Sequence, residues 1–101
     1  MIPEQLDNLR DRLLPALKPY VSQIAIFGSV ARGEDRSDSD IDVIVVLKPP
    51  EQRPPLGLRW FELEQTLSAQ FGRPVQLVTE DALSPHVRPF IDADRVVLYE
   101  E

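Results

Sequence analysis

The chain has 101 residues, a formal net charge of −6 and no cysteine. This length predicts one domain over residues 1–101 with one modest core, and the lack of cysteine excludes disulfides and thiolate metal sites. The acidic balance, without a basic patch, argues against nucleic acid as a partner. No apolar stretch approaches membrane-spanning length and no signal-peptide pattern opens the chain, so we expect no membrane association and a cytoplasmic location.

The first half of the chain alternates between helical and strand patterns. Leucines recur at helical spacing near the N-terminus, although Pro15 threatens the last turn of that helix. Continuous apolar runs then predict strands that are buried on both faces. The predicted elements are a helix (3–19), a strand (22–27), a helical turn (29–32), a polar loop (33–39) and a second strand (40–47).

The second half begins with four prolines between residues 48 and 55, which predict an extended surface loop without helix or ladder. The next predicted elements are a helix (57–71), a strand (74–79), a short helix after Ser84-Pro85 and a last strand (95–99). Gly72 is a plausible helix stop, and His86 fits a surface turn better than a catalytic role. The apolar residues assigned to the inward faces of the two helices are Trp60, Phe61, Leu63, Leu67, Phe71, Val87, Phe90 and Ile91.

A Gly-Ser turn follows the first predicted strand. Gly28 has no side chain, so the backbone can turn sharply there and approach a ligand closely. Ser29 offers a hydroxyl and an amide N–H at the start of a short helix, where free N–H groups and the helix dipole favour anions. The turn therefore suits phosphate oxygens.

Two carboxylates, Asp40 and Asp42, open the second predicted strand, and ten residues separate Ser29 from Asp40. Residues i and i+2 of a strand point to the same face, so the two carboxylates are expected to project together. Such a pair repels unless it shares a cation, and hard oxygen ligands suit magnesium. A solvated acidic loop explains the other nearby carboxylates but not Asp42, which lies inside an apolar strand.

This combination of Gly28-Ser29, ten intervening residues and Asp40-x-Asp42 resembles the signature of the DNA polymerase beta-like nucleotidyltransferase superfamily. The short chain looks like the smallest members, the minimal nucleotidyltransferases (MNT), and the resemblance covers nearly the whole chain. It implies an α/β (α+β) nucleotidyltransferase fold, with a mixed β-sheet of about four strands packed against helices.

The resemblance also implies the chemistry of the site. Asp40 and Asp42 match the catalytic pair that binds two Mg²⁺ ions, and Gly28 and Ser29 match the turn that holds the triphosphate of ATP. Arg32 is a further candidate for phosphate binding, with a solvated surface role as the alternative. Gln76 stands where the family usually has a third catalytic Asp, and glutamine is a weaker metal ligand that cannot act as a general base.

The resemblance implies a partner as well. Small members are typically paired with a helical HEPN toxin, and as the antitoxin they can transfer AMP from ATP to a tyrosine of that toxin. We therefore expect a nucleotidyltransferase that modifies a hydroxyl of a HEPN-type partner. The alternative is a catalytically impaired antitoxin that neutralises its partner by binding, which Gln76 favours. An antibiotic-modifying enzyme is a weaker third hypothesis, because we expect no second, substrate-binding domain in so short a chain.

Overall fold

The computed structural model describes residues 4–36 and 39–101. Helices and strands alternate along this part of the chain in the predicted order. Its elements are α1 (Glu4–Leu17), β1 (Val21–Phe27), α2 (Gly28–Arg32), β2 (Ile41–Leu47), α3 (Arg59–Phe71), β3 (Val75–Thr79), α4 (Arg88–Asp94) and β4 (Val96–Glu100). None of these helices is both long enough and apolar enough to cross a membrane.

The four strands form one mixed sheet, as the sequence predicts, and the structure gives their order as β3-β2-β1-β4. β1 runs antiparallel to both β2 and β4, whereas β2 and β3 are parallel. Parallel neighbours need a long crossover connection, and α3 supplies it. The register places Asp42 opposite Phe27 on one side and opposite Gln76 on the other.

The main core lies between one face of the sheet and the helices α1 and α3. Leucines at helical spacing line the buried side of each helix, and alternate residues of the strands meet them. Each such side chain, once buried, stabilises the fold by roughly 1.5–3 kcal/mol relative to its exposed state. The central residues of this core are Leu6, Leu9, Leu13, Leu17, Leu63, Leu67, Ile24, Ile26, Val43 and Val45.

The opposite face of the sheet carries a smaller apolar cluster. Ala25 of β1 and Ile44 of β2 pack there against Ile91 of α4. Asp42 lies on this same face, two residues before Ile44, and is half-buried. Asp40, which immediately precedes β2, is exposed. This end of the face is therefore open at the two carboxylates.

Three aromatic or aliphatic side chains predicted to pack inward are exposed instead. Phe61 is 61% exposed, because it lies about 200° around α3 from Leu63, which faces the core. Val87 and Phe90 are 47% and 76% exposed. The helix that we predicted directly after Ser84-Pro85 begins only at Arg88, because residues 85–87 form a separate turn. The resulting helix α4 is short, and its buried residue is Ile91.

The prolines disturb the helices less than the sequence predicts. Pro15 lies inside α1, which continues to Leu17 without splitting. The stretch expected to exclude helix contains a 3-10 turn at Pro50–Gln52. Proline is tolerated there because the first residue of a helical turn needs no N–H partner. The other helix and strand boundaries differ from prediction by one or two residues, and Gly72 ends α3 in the left-handed conformation, as predicted.

Candidate active site

The turn from β1 into α2 brings Gly28 against Asp42. Gly28 has φ 77°, a left-handed conformation that favours glycine. A Cβ atom added there would lie 2.6 Å from Asp42 Oδ2. Gly28 is therefore required both by its backbone angle and by the carboxylate beside it.

α2 carries Ser29 next to this contact. Phe27 precedes the helix in an extended conformation, and Gly33 ends it in the left-handed conformation with φ 72°. Ser29 is half-buried, and its carbonyl accepts a hydrogen bond from the Glu34 N–H at 2.9 Å. Because Ser29 belongs to the first turn of α2, its own N–H has no partner within the helix. That donor lies at the same end of the sheet as Asp42.

Asp40 and Asp42 form a like-charged pair on this end of the sheet. The pKa of the Asp42 carboxyl is raised above its usual value, first by burial and second by the charge of Asp40. Both effects disfavour the ionised form, and the charge of a bound cation would oppose them. The donors are carboxylate oxygens, which are the ligands that Mg²⁺ prefers. The pair thus fits a divalent cation.

Gln76 lies beside the carboxylate pair, at the position where the resemblance places a third carboxylate. Its Nε2 donates a hydrogen bond to Asp40 Oδ2 at 3.0 Å, and it is the register partner of Asp42. Within residues 4–36 and 39–101, no three His, Cys, Asp or Glu side chains are grouped closely enough to hold a metal ion. In the described structure the two carboxylates therefore share this corner with an amide.

Glu80 does not replace the missing carboxylate. It begins a 3-10 turn directly after β3, and its oxygens accept hydrogen bonds from Arg95 Nη1 at 2.8 Å and from Arg88 Nη1 at 2.8 Å. These cations, Arg95 first, lower the pKa of Glu80 against the opposing effect of burial. Glu80 is thus committed to holding α4 against the end of β3.

Arg32 ends α2 and is held by two carboxylates. Its Nη1 donates to Asp94 Oδ2 at 2.7 Å, and its Nε donates to Glu34 Oε2 at 3.1 Å. The contact with Asp94 joins α2 to the end of α4. A nucleotide phosphate would compete with both carboxylates for this guanidinium, and the assignment of Arg32 to nucleotide binding stays a prediction.

Arg73 supports the site, and the sequence pattern did not single it out. Its Nε donates to the carbonyl of Ser39 at 2.7 Å, and its Nη1 contacts Asp35 Oδ2 at 3.2 Å. The next residue, Pro74, accepts a hydrogen bond from the Ile41 N–H at 2.8 Å. These contacts fix the backbone immediately before and after Asp40. An isolated Arg between a helix stop and a strand gives no local signal of this role. The predicted polar loop includes Ser37 and Asp38, which lie outside the described residues.

Comparisons with known proteins identify the family of this chain. The family model described as "Nucleotidyltransferase domain" matches residues 6–99. MJ0128 of Methanocaldococcus jannaschii, a candidate protein adenylyltransferase by its name, is 40% identical over 97 residues, which cover 94% of this chain and 95% of the relative. Protein adenylyltransferase MntA of Thermococcus cleftensis is 43% identical over 63 residues, covering 62% of this chain and 60% of MntA.

A solved structure of a mutant of the toxin-antitoxin MntA-HpeT is similar as well. It superposes with a TM-score of 0.69 at 26% sequence identity, over 100% of this chain and 75% of that one. The expected fold is therefore confirmed, and the match to the domain model extends over nearly all of the chain. This chain belongs to the nucleotidyltransferase domain family.

Proposed function

We propose that this chain transfers AMP from Mg-ATP to a hydroxyl group of a partner protein. The observation that carries this proposal is the contact between the two halves of the motif: Asp42 Oδ2 occupies the space that a Gly28 side chain would need. Ser29 follows Gly28, and Asp40 precedes Asp42 by two residues, close enough for its charge to act on Asp42. The residues that we assign to phosphate binding and to metal binding thus lie at one corner of the sheet.

Each residue at this corner has a role in the proposed reaction. Gly28 and Ser29 present backbone N–H groups to the triphosphate, and Ser29 adds its hydroxyl. Asp40 and Asp42 would hold Mg²⁺, and the bound ion would supply positive charge to the phosphate oxygens and to the departing pyrophosphate. The acceptor oxygen forms a bond to the α-phosphorus as the bond to pyrophosphate breaks, and the hydroxyl proton passes to solvent water. The protein contributes mainly by positioning and charge.

The acceptor is proposed to be a HEPN-type toxin, to which this chain would serve as the antitoxin. The names of MntA and of the MntA-HpeT pair support this assignment. The negative charges of Asp40 and Asp42 add a physical argument for this pairing. They would attract a basic partner, so the association rate would fall as the salt concentration rises. Co-purification with the product of the neighbouring gene, followed by association rates at increasing salt, tests the pairing. A rate independent of salt, or no complex, contradicts it.

Gln76 favours a second candidate function, in which the chain neutralises its partner without modifying it. An amide cannot take a proton from the acceptor hydroxyl, so the chain would then neutralise its partner by binding alone. The two functions differ in one observable. Transfer leaves AMP covalently attached to the partner, whereas neutralisation by binding leaves the partner's mass unchanged.

Calorimetric titration with Mg-ATP tests the site itself. We expect the double variant Asp40→Asn/Asp42→Asn to bind Mg-ATP at least tenfold more weakly than the parent, since both carboxylates are lost as metal ligands. Asp81→Asn is the matched control, because Asp81 is an exposed carboxylate in the turn after β3. Equal affinity of the parent and the double variant would show that the assignment is wrong.

A further inference from the structure

The amide of Gln76 faces Asp40 with its donor side. The distance from Gln76 Nε2 to Asp40 Oδ2 is 3.0 Å. An ionised carboxylate only accepts hydrogen bonds, so the amide must turn its NH₂ group, and not its carbonyl oxygen, toward Asp40. A partly positive group therefore lies where a metal ligand would have to present a lone pair.

This orientation limits what the pair of carboxylates can hold. A cation bound between Asp40 and Gln76 would meet the N–H groups of the amide. To act as a ligand, the amide would have to rotate, lose its hydrogen bond to Asp40 and offer only a neutral oxygen. A carboxylate at the same position would offer charged oxygens without this rearrangement. Gln76 thus disfavours a cation on the side of Asp40 that faces β3.

We propose that Gln76 is a positioning residue that holds Asp40 through its amide and restricts the Asp40–Asp42 pair to one divalent cation, the one carried by the nucleotide. This inference rests on the proposed function, because it assigns the cation to the nucleotide site. It departs from the two-cation arrangement that the sequence resemblance implies. Asp42 then faces Gly28 and the nucleotide, while Asp40 is shared between the cation and the amide.

The test uses Mn²⁺ as the probe, with electron paramagnetic resonance to count bound ions on the full chain. With a non-hydrolysable ATP analogue at saturation, we expect one Mn²⁺ per chain for the parent and two for Gln76→Glu. Without nucleotide, we expect Gln76→Glu to bind Mn²⁺ at least tenfold more tightly than the parent. The melting temperature of Gln76→Glu should also rise more on adding Mn²⁺ than that of the parent, because the ion relieves the repulsion among three carboxylates.

Two control variants separate ligand chemistry from general charge. Gln23→Glu makes the same charge change on β1, where Gln23 is opposite Val46, four residues along the strand from Asp42. Gln76→Met keeps the length of the side chain without a donor or an oxygen ligand. We expect neither variant to add a second Mn²⁺ or to tighten Mn²⁺ binding tenfold.

The outcomes distinguish this inference from the proposed function. Two Mn²⁺ ions per parent chain with nucleotide would overturn the inference alone, as would equal tightening by Gln23→Glu and Gln76→Glu. No nucleotide-dependent Mn²⁺ in any folded variant would instead contradict the proposed function and the inference with it. One ion in the parent and two in Gln76→Glu would support both.

Discussion

The carboxylate of Asp42 fills the space next to Gly28 that any side chain there would enter. An added Cβ at Gly28 would lie 2.6 Å from Asp42 Oδ2, whereas one at Gly33 would meet nothing within 4 Å. Both glycines have similar left-handed backbones, with φ of 77° and 72°. The two positions therefore share a backbone conformation that would strain any other residue. They differ in that only Gly28 contacts Asp42.

Alanine substitutions at these two glycines should separate stability from binding. We expect Gly28→Ala and Gly33→Ala each to lower the free energy of unfolding by roughly 1–2 kcal/mol, the penalty of a left-handed residue with a Cβ. Only Gly28→Ala should also displace the Asp42 carboxylate and weaken Mg-ATP binding at least tenfold. Denaturant unfolding and calorimetry measure the two effects. Equal loss of Mg-ATP affinity in both variants would argue against the Gly28–Asp42 relationship.

The charge of Asp42 should destabilise the metal-free protein. Its pKa is raised in the folded state by burial and by Asp40, so the folded state retains the proton to higher pH than the unfolded chain. Stability is thus lost as pH rises from 3.8, the usual pKa, through the raised value. At pH 7 in chelator, Asp42→Asn should be more stable than the parent by up to about 1 kcal/mol. This advantage should vanish well below pH 3.8, and a less stable Asp42→Asn at pH 7 would contradict the account.

The contribution of Glu80 to folding stability should have the opposite pH dependence. Hydrogen bonding from Arg95, with a further contribution from Arg88, lowers its pKa in the folded state below the usual 4.5. The stability that it contributes is present above pH 4.5 and lost as pH falls through the lowered value. We expect Glu80→Gln to cost about 1–3 kcal/mol at pH 7 and progressively less in acid, measured by denaturant unfolding.

Glu62 of α3 provides a matched control for the contacts of Glu80 with Arg88 and Arg95. Glu62 pairs with Arg59 at 3.3 Å, and the two side chains are 64% and 57% exposed. Solvent screens an exposed pair of this kind, so Glu62→Gln should leave stability nearly unchanged. If Glu62→Gln and Glu80→Gln cost the same, the junction of β3 and α4 does not depend on Glu80.

Adding a carboxylate at residue 76 should accelerate transfer. Gln76→Asp would supply an oxygen ligand beside Asp40 and a group that can accept the proton of the acceptor hydroxyl. A tenfold increase corresponds to about 1.4 kcal/mol of barrier lowering, a modest effect for such a group. Single-turnover rates of AMP transfer measure it. An unchanged rate in a fast parent would mean that another residue or the partner supplies the missing group.

Local sequence patterns predicted most of the fold because the periodicities are strong. Leucines at helical spacing predict α1 and α3, and the two-residue spacing of Asp40 and Asp42 predicts a pair of carboxylates whose charges interact. The alignment of Gln76 with the carboxylate pair also agrees with the register of β2 and β3. These features depend on residues that are close in sequence or joined by regular strands.

Features that depend on tertiary contacts could not be read from the sequence. Arg73 binds Ser39 and Asp35 across more than thirty positions of chain, and no periodic pattern connects them. The prediction that Phe61 and Phe90 pack inward is wrong, because both side chains are exposed. Aromatic residues are often buried, but the rotation of each helix about its axis decides which of its residues face the sheet.

The central claim is that this chain transfers AMP to its partner. Its most direct test is the intact mass of the co-purified HEPN-type partner after incubation with this chain, ATP and Mg²⁺. We predict a mass increase of one or more AMP groups on a tyrosine with the parent, and none with Asp40→Asn/Asp42→Asn. A partner that is neutralised by the parent yet keeps its unmodified mass would contradict the claim and favour neutralisation by binding alone.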